Sequence, residues 1–218
     1  MSDAAPDPAI NTSDAVERIL SSIERERERE IIARRFGLND RKETLEQIGD
    51  LLGITRERVR QLEKAILIRL KLAAEKDAET VGTIEKHFIR HLHEMGGVAR
   101  VSDLTGRIHD VPSERDHAHI AFIAELAPNI TVLGENDHYH HGVAIRERHD
   151  EKKLKSDVDS GAKTIKEHGE PIEITDLHEK LSHDHPDQVR AIASLSKNLS
   201  HLKDQQGLNK SPTVNPNN

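Results

Sequence analysis

Apolar residues between Ala15 and Lys76 recur every three or four positions, the spacing that gathers side chains on one face of an α-helix. Leu45, Ile48, Leu51 and Leu52 form one such stripe, and Val59, Leu62, Ile66 and Leu70 form the next. Gly53 between them permits a tight turn, Ile54 can plug the joint, and Thr44 and Thr55 are placed to cap the two helices. Upstream, Phe36-Gly37-Leu38-Asn39-Asp40 interrupts the pattern, with Gly37 suited to a helix C-cap. Two short helices joined at a glycine predict a helix-turn-helix.

Past residue 80 the pattern changes. A helix over Val81–Met95 leads to Gly96-Gly97, an extended piece at Val98–Val101, a capped helix opening at Ser102-Asp103 and a third helix over Ser113–Leu126. Two strand-like runs, Ile130–Leu133 and His138–Ile145, flank a turn at Gly134–Asp137. The same order then recurs. A helix over Leu154–His168 stops at Gly169-Glu170-Pro171, Ile172–Ile174 is β-like, and Thr175-Asp176 opens a helix to Leu181. A third helix follows over Pro186–Leu199, and a short hairpin joins Leu199–Lys203 to Leu208. Helix, strand, helix, helix, hairpin is the order of a winged helix.

The expected fold is mainly α: a helix-turn-helix bundle followed by two small winged-helix-like modules. The expected divisions are a disordered start at 1–14, a first domain at 15–76, winged-helix-like domains at 81–149 and 150–208, and a disordered tail at 209–218.

Composition narrows the classes. Only 34% of residues are hydrophobic, and Phe36, Phe88, Phe122 and Tyr139 are the only Phe, Tyr or Trp residues, which favours small aliphatic cores over one thick one. A net charge of −7 argues against indiscriminate coating of nucleic acid. Without cysteine, disulfides and thiolate metal sites are excluded. The first residues lack a basic and apolar leader, and no apolar run is long enough for a bilayer, so a cytoplasmic protein is expected. No phosphate-cradling glycine loop or organised catalytic set is present, which points away from an enzyme, and no cofactor is expected.

Against this acidic background, residues 54–71 are basic: Arg56, Arg58, Arg60, Lys64, Arg69 and Lys71 face only Glu57 and Glu63. The start of a second helix in such a motif enters the major groove. Arg56, Glu57, Arg58, Arg60 and Gln61 lie there. Arginine pairs with guanine, glutamate accepts from cytosine and glutamine pairs with adenine. Each lysine or arginine that meets a phosphate, Lys64 included, adds salt-dependent affinity.

Residues 23–71, with IERERERE, ARRFGL, TLEQIGDLLG and TRERVRQLE, resemble region four of bacterial primary sigma factors. That module recognises the −35 promoter element and docks on RNA polymerase. The resemblance implies that Arg56, Glu57 and Gln61 contact bases and Arg60 a base or phosphate. It implies that Thr44 and Leu45 open the supporting helix, whose N-terminus can hold a phosphate. Thr55 and Arg58 complete the expected DNA-binding set. The residues before the match contain no aromatic, so promoter melting is not expected, and Ala65 and Ile68 stand where the family often carries basic residues. EKHFIRHLHEMGGVARVSDLTGRI and KTIKEHGEPIEITDLHEKL more distantly resemble winged helices of the HARE-HTH and polymerase delta-subunit type.

Two further features read plainly. The Glu/Arg alternation over Glu24–Glu30 fits a solvated helix surface, with polymerase docking as the sharper alternative. All histidines lie at or after His87. The clusters His117/His119, His138/His140/His141 and His183/His185 are expected as dispersed surface groups; on one strand His138 and His140 would face the same way and could chelate, without a third ligand at a telling spacing. The expected partners are duplex DNA carrying a −35-like element and, as the alternative, core RNA polymerase. One reading head spans few base pairs, so a homodimer, a second DNA module or polymerase tethering is expected to assist it.

Overall fold

The computed structural model describes residues 10–168, 172–173, 186–202 and 213–215. The chain is mainly helical, with two small antiparallel sheets. It divides into two compact units, residues 1–85 with 108–128 and residues 86–107 with 129–218. Residues 108–128 therefore group with the helix-turn-helix, although in sequence they lie inside the stretch 81–149.

The first unit contains α1 (Thr12–Ser21), α2 (Glu26–Phe36), α3 (Leu45–Leu52), α4 (Arg56–Ala74) and α7 (Glu114–Leu126). The helical block starts at Thr12, ahead of Ala15, because the Asn11 side chain accepts from the Asp14 amide and caps α1. α2 ends at Gly37 in the left-handed conformation, as the sequence implied. Ile31, Ile48 and Val59 form a fully buried cluster, with Leu45, Leu52, Ile54 and Leu62 packed around it. Burying each such side chain contributes about 1.5–3 kcal/mol.

α7 packs against α1, α2 and α4. Its residues Ile120, Ala121, Phe122, Ile123 and Ala124 are all buried, the all-round apolar character of a core helix. The Phe122 ring sits 4.9 Å from that of Phe36 at 59°, and Lys71 on α4 pairs with Glu125 at 2.6 Å.

Between Glu85 and Lys86, within α5 (Val81–Glu94), the chain passes into the second unit. There β1 (Val98–Arg100) and β2 (Ile130–Leu133) flank β3 (Gly142–Ile145), with α6 (Val101–Ile108) following β1. β3 is shorter than the run His138–Ile145. The Asn136 side chain accepts from the His138 and Tyr139 amides and bends the chain there, and the His140 amide donates to the Leu195 carbonyl. His138 and His140 thus do not share a strand face.

α8 (Glu151–His168), β4 (Ile172–Glu173), α9 (Pro186–Ser194), β5 (Ser200–Leu202) and β6 (Thr213–Asn215) follow. The second sheet runs β4-β6-β5, the counterpart of β1-β3-β2. The hairpin is longer than the one read from Lys203 to Leu208, since β5 pairs with Thr213–Asn215, inside the stretch expected to be a disordered tail. The expected break at 169–171, helix at 175–181 and cluster His183/His185 lie outside the described residues. Val98, Leu133, Ala144, Leu154, Val158, Ile192 and Leu195 build one core in this unit. His119 and His149 are buried, at 1% and 0% exposed, contrary to a uniformly surface distribution. Each has polar company that lets it leave water: Leu38 for His119, Asp157 and Gln188 for His149.

Candidate nucleic-acid interface

The helix-turn-helix is built by local chemistry. Thr44 accepts from the Gln47 amide at 3.2 Å while Gln47 Oε1 accepts from the Thr44 amide at 2.8 Å, a reciprocal capping box that starts α3. Thr55 accepts from the Arg58 amide at 3.2 Å and starts α4. Gly53 has φ +64°, the left-handed turn that ends α3. Gly49 has a different duty. A Cβ there would lie 2.7 Å from the Ile54 carbonyl oxygen, so the turn can fold back on α3 only over a hydrogen.

α2 clamps this pair of helices. Arg27 donates to the Leu52 carbonyl at 2.6 Å, closing an open carbonyl at the end of α3. Arg34 bridges Glu30 at 2.9 Å and Glu43 at 2.7 Å. Arg35 reaches Glu63 on α4 at 3.1 Å. Glu28 is 8% exposed and pairs with Arg25 and Arg69. The alternating Glu/Arg run is therefore not simply a solvated surface. α2 turns Glu28 inward toward α4, where Arg69 compensates its charge.

The outward face carries the expected set. Thr44, Thr55, Arg56, Glu57, Arg58, Arg60, Gln61 and Lys64 are exposed, and Leu45 is half-buried against the Ile31 cluster. α4 brings Arg56, Glu57, Arg60, Gln61 and Lys64 onto neighbouring turns. Arg60 Nε donates to Glu57 Oε2 at 2.8 Å and Arg60 Nη2 to Oε1 at 2.7 Å, a bidentate pair. Gln61 Nε2 adds a bond to the same carboxylate at 3.3 Å, and Arg58 Nη1 reaches Gln61 Oε1 at 3.4 Å. The bonds from Arg60, then Gln61, with the nearby charges of Arg60 and Arg56, hold the Glu57 carboxyl down to about 2, and the Arg60 guanidinium is raised in turn by Glu57. Arg56 and Lys64 make no side-chain hydrogen bond or ion pair among the described residues, leaving their donors available to a ligand.

Next to this polar face, α4 exposes Ile68 and Leu72, 51% and 55% exposed, one helical turn apart. Ala65 continues the stripe toward the N-terminal end of α4. Sequence reasoning singled out Ala65 and Ile68 as departures but missed Leu72, whose i+4 spacing from Ile68 was the available signal. It also missed Gly49 and Arg27. Among the described residues no cluster of three metal-ligating side chains occurs, and no helix is long and apolar enough to cross a membrane.

Residues 25–72 match the family model described as Sigma-70, region 4, and the segment is a region-four helix-turn-helix. The RNA polymerase sigma factor RpoS of Coxiella burnetii is 39% identical over 77 residues, which is 35% of this chain and 22% of that protein. The RNA polymerase sigma factor SigA of Nostoc sp. is 44% identical over 57 residues, 26% of this chain and 14% of the relative. The RNA polymerase sigma factor sigB of Arabidopsis thaliana is 48% identical over 46 residues, 21% of this chain and 8% of the relative. The chain thus spans about a fifth or less of the length of these curated relatives.

Proposed function

We propose that this protein is a cytoplasmic, non-enzymatic transcription regulator that binds duplex DNA of a −35-like sequence through α3 and α4. The observation that carries the reading is the exposed set Arg56, Glu57, Arg60 and Gln61, held on a helix whose segment matches sigma-70 region 4. In this role Arg56, Glu57 and Gln61 read base edges, and Arg60 a base or phosphate. Arg58, Lys64 and the Thr44–Leu45 end of α3, with Thr55 at the start of α4, set the register on the backbone.

Strand melting is not part of the proposal. Stacking unpaired bases calls for exposed rings, whereas Phe88 and Phe122 are fully buried, Phe36 packs on Phe122, and Tyr139 packs half-buried against the core of the second unit. The winged-helix-like modules proposed at 81–149 and 150–208 add DNA or protein contacts. α7, buried all round from His119 to Ala124, is committed to the core of the first unit and is not the helix that would enter a groove.

Unbiased selection of duplex DNA tests the reading. An enriched motif that is lost in Arg56→Ala and Gln61→Ala is the expected result, and no enrichment overturns it. A second reading, an accessory factor docking on core RNA polymerase, is favoured by the exposed Ile68–Leu72 stripe. Retention on core polymerase without DNA, reduced in Ile68→Lys, supports it; no retention sinks it. Mass measurements with and without the selected DNA test whether a homodimer forms.

A further inference from the structure

His119 has an unusual position. It lies on α7, 1% exposed, with Nε2 3.0 Å from the carbonyl oxygen of Leu38 and Nδ1 buried without a hydrogen-bond partner. Nε2 faces both the Leu38 carbonyl at 3.0 Å, which can only accept, and the Arg115 Nε–H at 3.4 Å, which can only donate; the shorter contact assigns the proton to Nε2 and leaves Nδ1 bare. Leu38 follows the left-handed Gly37 at the end of α2 and begins the loop that leads to the Thr44 cap of α3. The contact therefore ties a helix from outside the region-four segment to the loop that sets the start of the helix-turn-helix.

We propose that His119 is a proton-sensitive latch: neutral and buried, it keeps α7 packed on the α2–α3 loop, and a second proton, although the Leu38 bond itself would favour it, draws the ring toward water because Nδ1–H has no buried acceptor, so that acidification loosens the DNA-reading module. The regulatory half of this rests on the DNA-binding reading above; the latch itself does not.

A second proton would place an N–H on Nδ1, where no acceptor faces it, and a charge in a helix whose Ile120, Phe122 and Ile123 are fully buried. The charged groups around the ring mostly oppose that proton. Arg115 Nε lies 3.4 Å from Nε2, and His109 approaches from the α6–α7 connection. Asp116 favours the proton, but its carboxylate already accepts from the Ser113 hydroxyl at 2.6 Å and amide at 2.8 Å. The α2–α3 loop offers the Leu38 carbonyl, which Nε2–H already uses. From α4 the charge paired with α7 is Lys71, matched by Glu125.

Burial first, and then Arg115 and His109, hold the imidazole below its usual 6.5 against the pull of Leu38 and Asp116. The native state then binds this proton less readily than the unfolded chain. The latch is intact above pH 6.5 and weakens as the pH falls below it, by up to about tenfold per pH unit for one proton.

The test uses the full chain and the variant His119→Gln, whose amide can still donate to Leu38 but does not titrate. Hydrogen exchange of the Leu38–Thr44 and α7 amides, corrected for intrinsic rates, is compared from pH 7.5 to 5.5. Protection in the wild type should fall further than in the variant, by at most about tenfold for one proton. An equal pH response in both overturns the latch. Should the variant not fold, the wild type decides alone: loss of α7 and Leu38–Thr44 protection that follows the His119 ring titration seen by NMR supports the proposal, and a ring that titrates without such loss, or at or above 6.5, overturns it. Both readouts work without DNA, so a failed DNA selection sinks the functional reading and leaves the latch separately judged.

Discussion

Arg60 grips the carboxylate of Glu57 with two parallel hydrogen bonds, at 2.8 and 2.7 Å, on the outer face of α4. The two groups proposed to meet a base are thus already engaged with each other. Glu57 fixes the direction of Arg60 and screens it from an arbitrary phosphate. Glu57→Ala should free Arg60 for the backbone, strengthen binding to unrelated DNA, steepen the salt dependence by about one counterion, and narrow the gap between specific and unrelated sequences. Titration of binding against salt on both kinds of DNA measures this; an unchanged slope would count against the arrangement.

The same pair predicts a pH insensitivity. Glu57 is held down to about 2 by Arg60, so its native interactions persist below the usual 4.5 and are lost only as the pH falls toward 2. The difference in specific DNA affinity between wild type and Glu57→Gln should therefore stay constant from pH 7 to pH 4, an interval over which an ordinary glutamate becomes mostly protonated. A difference that shrinks over that interval would show that the carboxylate titrates normally.

Base readers and phosphate contacts should separate. Arg56→Ala and Gln61→Ala should each cost about 1–3 kcal/mol of discrimination at one base position. Lys64→Ala should weaken all sequences alike and lower the salt slope by about one. Quantitative binding to single-base variants of the selected site distinguishes the two behaviours.

The two glycines of the motif should respond differently to alanine. Gly53 has φ +64° but nothing within 4 Å of a Cβ, so Gly53→Ala should cost about 1 kcal/mol, the left-handed penalty alone. Gly49→Ala drives a methyl against the Ile54 carbonyl at 2.7 Å, and backbone cannot swing aside. It should cost more, about 1–3 kcal/mol, and lose DNA binding with stability. Denaturant midpoints of the two variants give the comparison.

Much of the helix pair and its exposed face was legible because its determinants are local. Thr44, Thr55 and Gly53 announce caps and turns from their own chemistry, and the apolar spacing of Ile48, Val59 and Ile66 fixes which face turns outward. What escaped is what depends on a distant neighbour. An alternating Glu/Arg run reads as solvated until Arg69, 41 residues away, is seen meeting Glu28. Gly49 gives no sign in sequence that a carbonyl will pass over it. The unbroken apolar stretch Ile120–Ala124 is the local sign of a helix buried all round, but it does not say that the helix packs with α1, α2 and α4. The short β3 was misjudged because Tyr139 looks strand-like, whereas Asn136 bends the chain beneath it.

The packing of α7 bears on how far the recognition segment is portable. Residues 25–72 are similar in sequence to sigma factors, and such a segment invites cutting and grafting as a cassette. Here Phe36 rests on Phe122 and Lys71 on Glu125. A foreign segment transplanted between the same two ends would bring its own reading residues, but also strange side chains for α7 to cover. Recoding the DNA target by exchange would require the lining of α7 to be redesigned in the same step, whereas point changes at Arg56 or Gln61 leave that lining untouched.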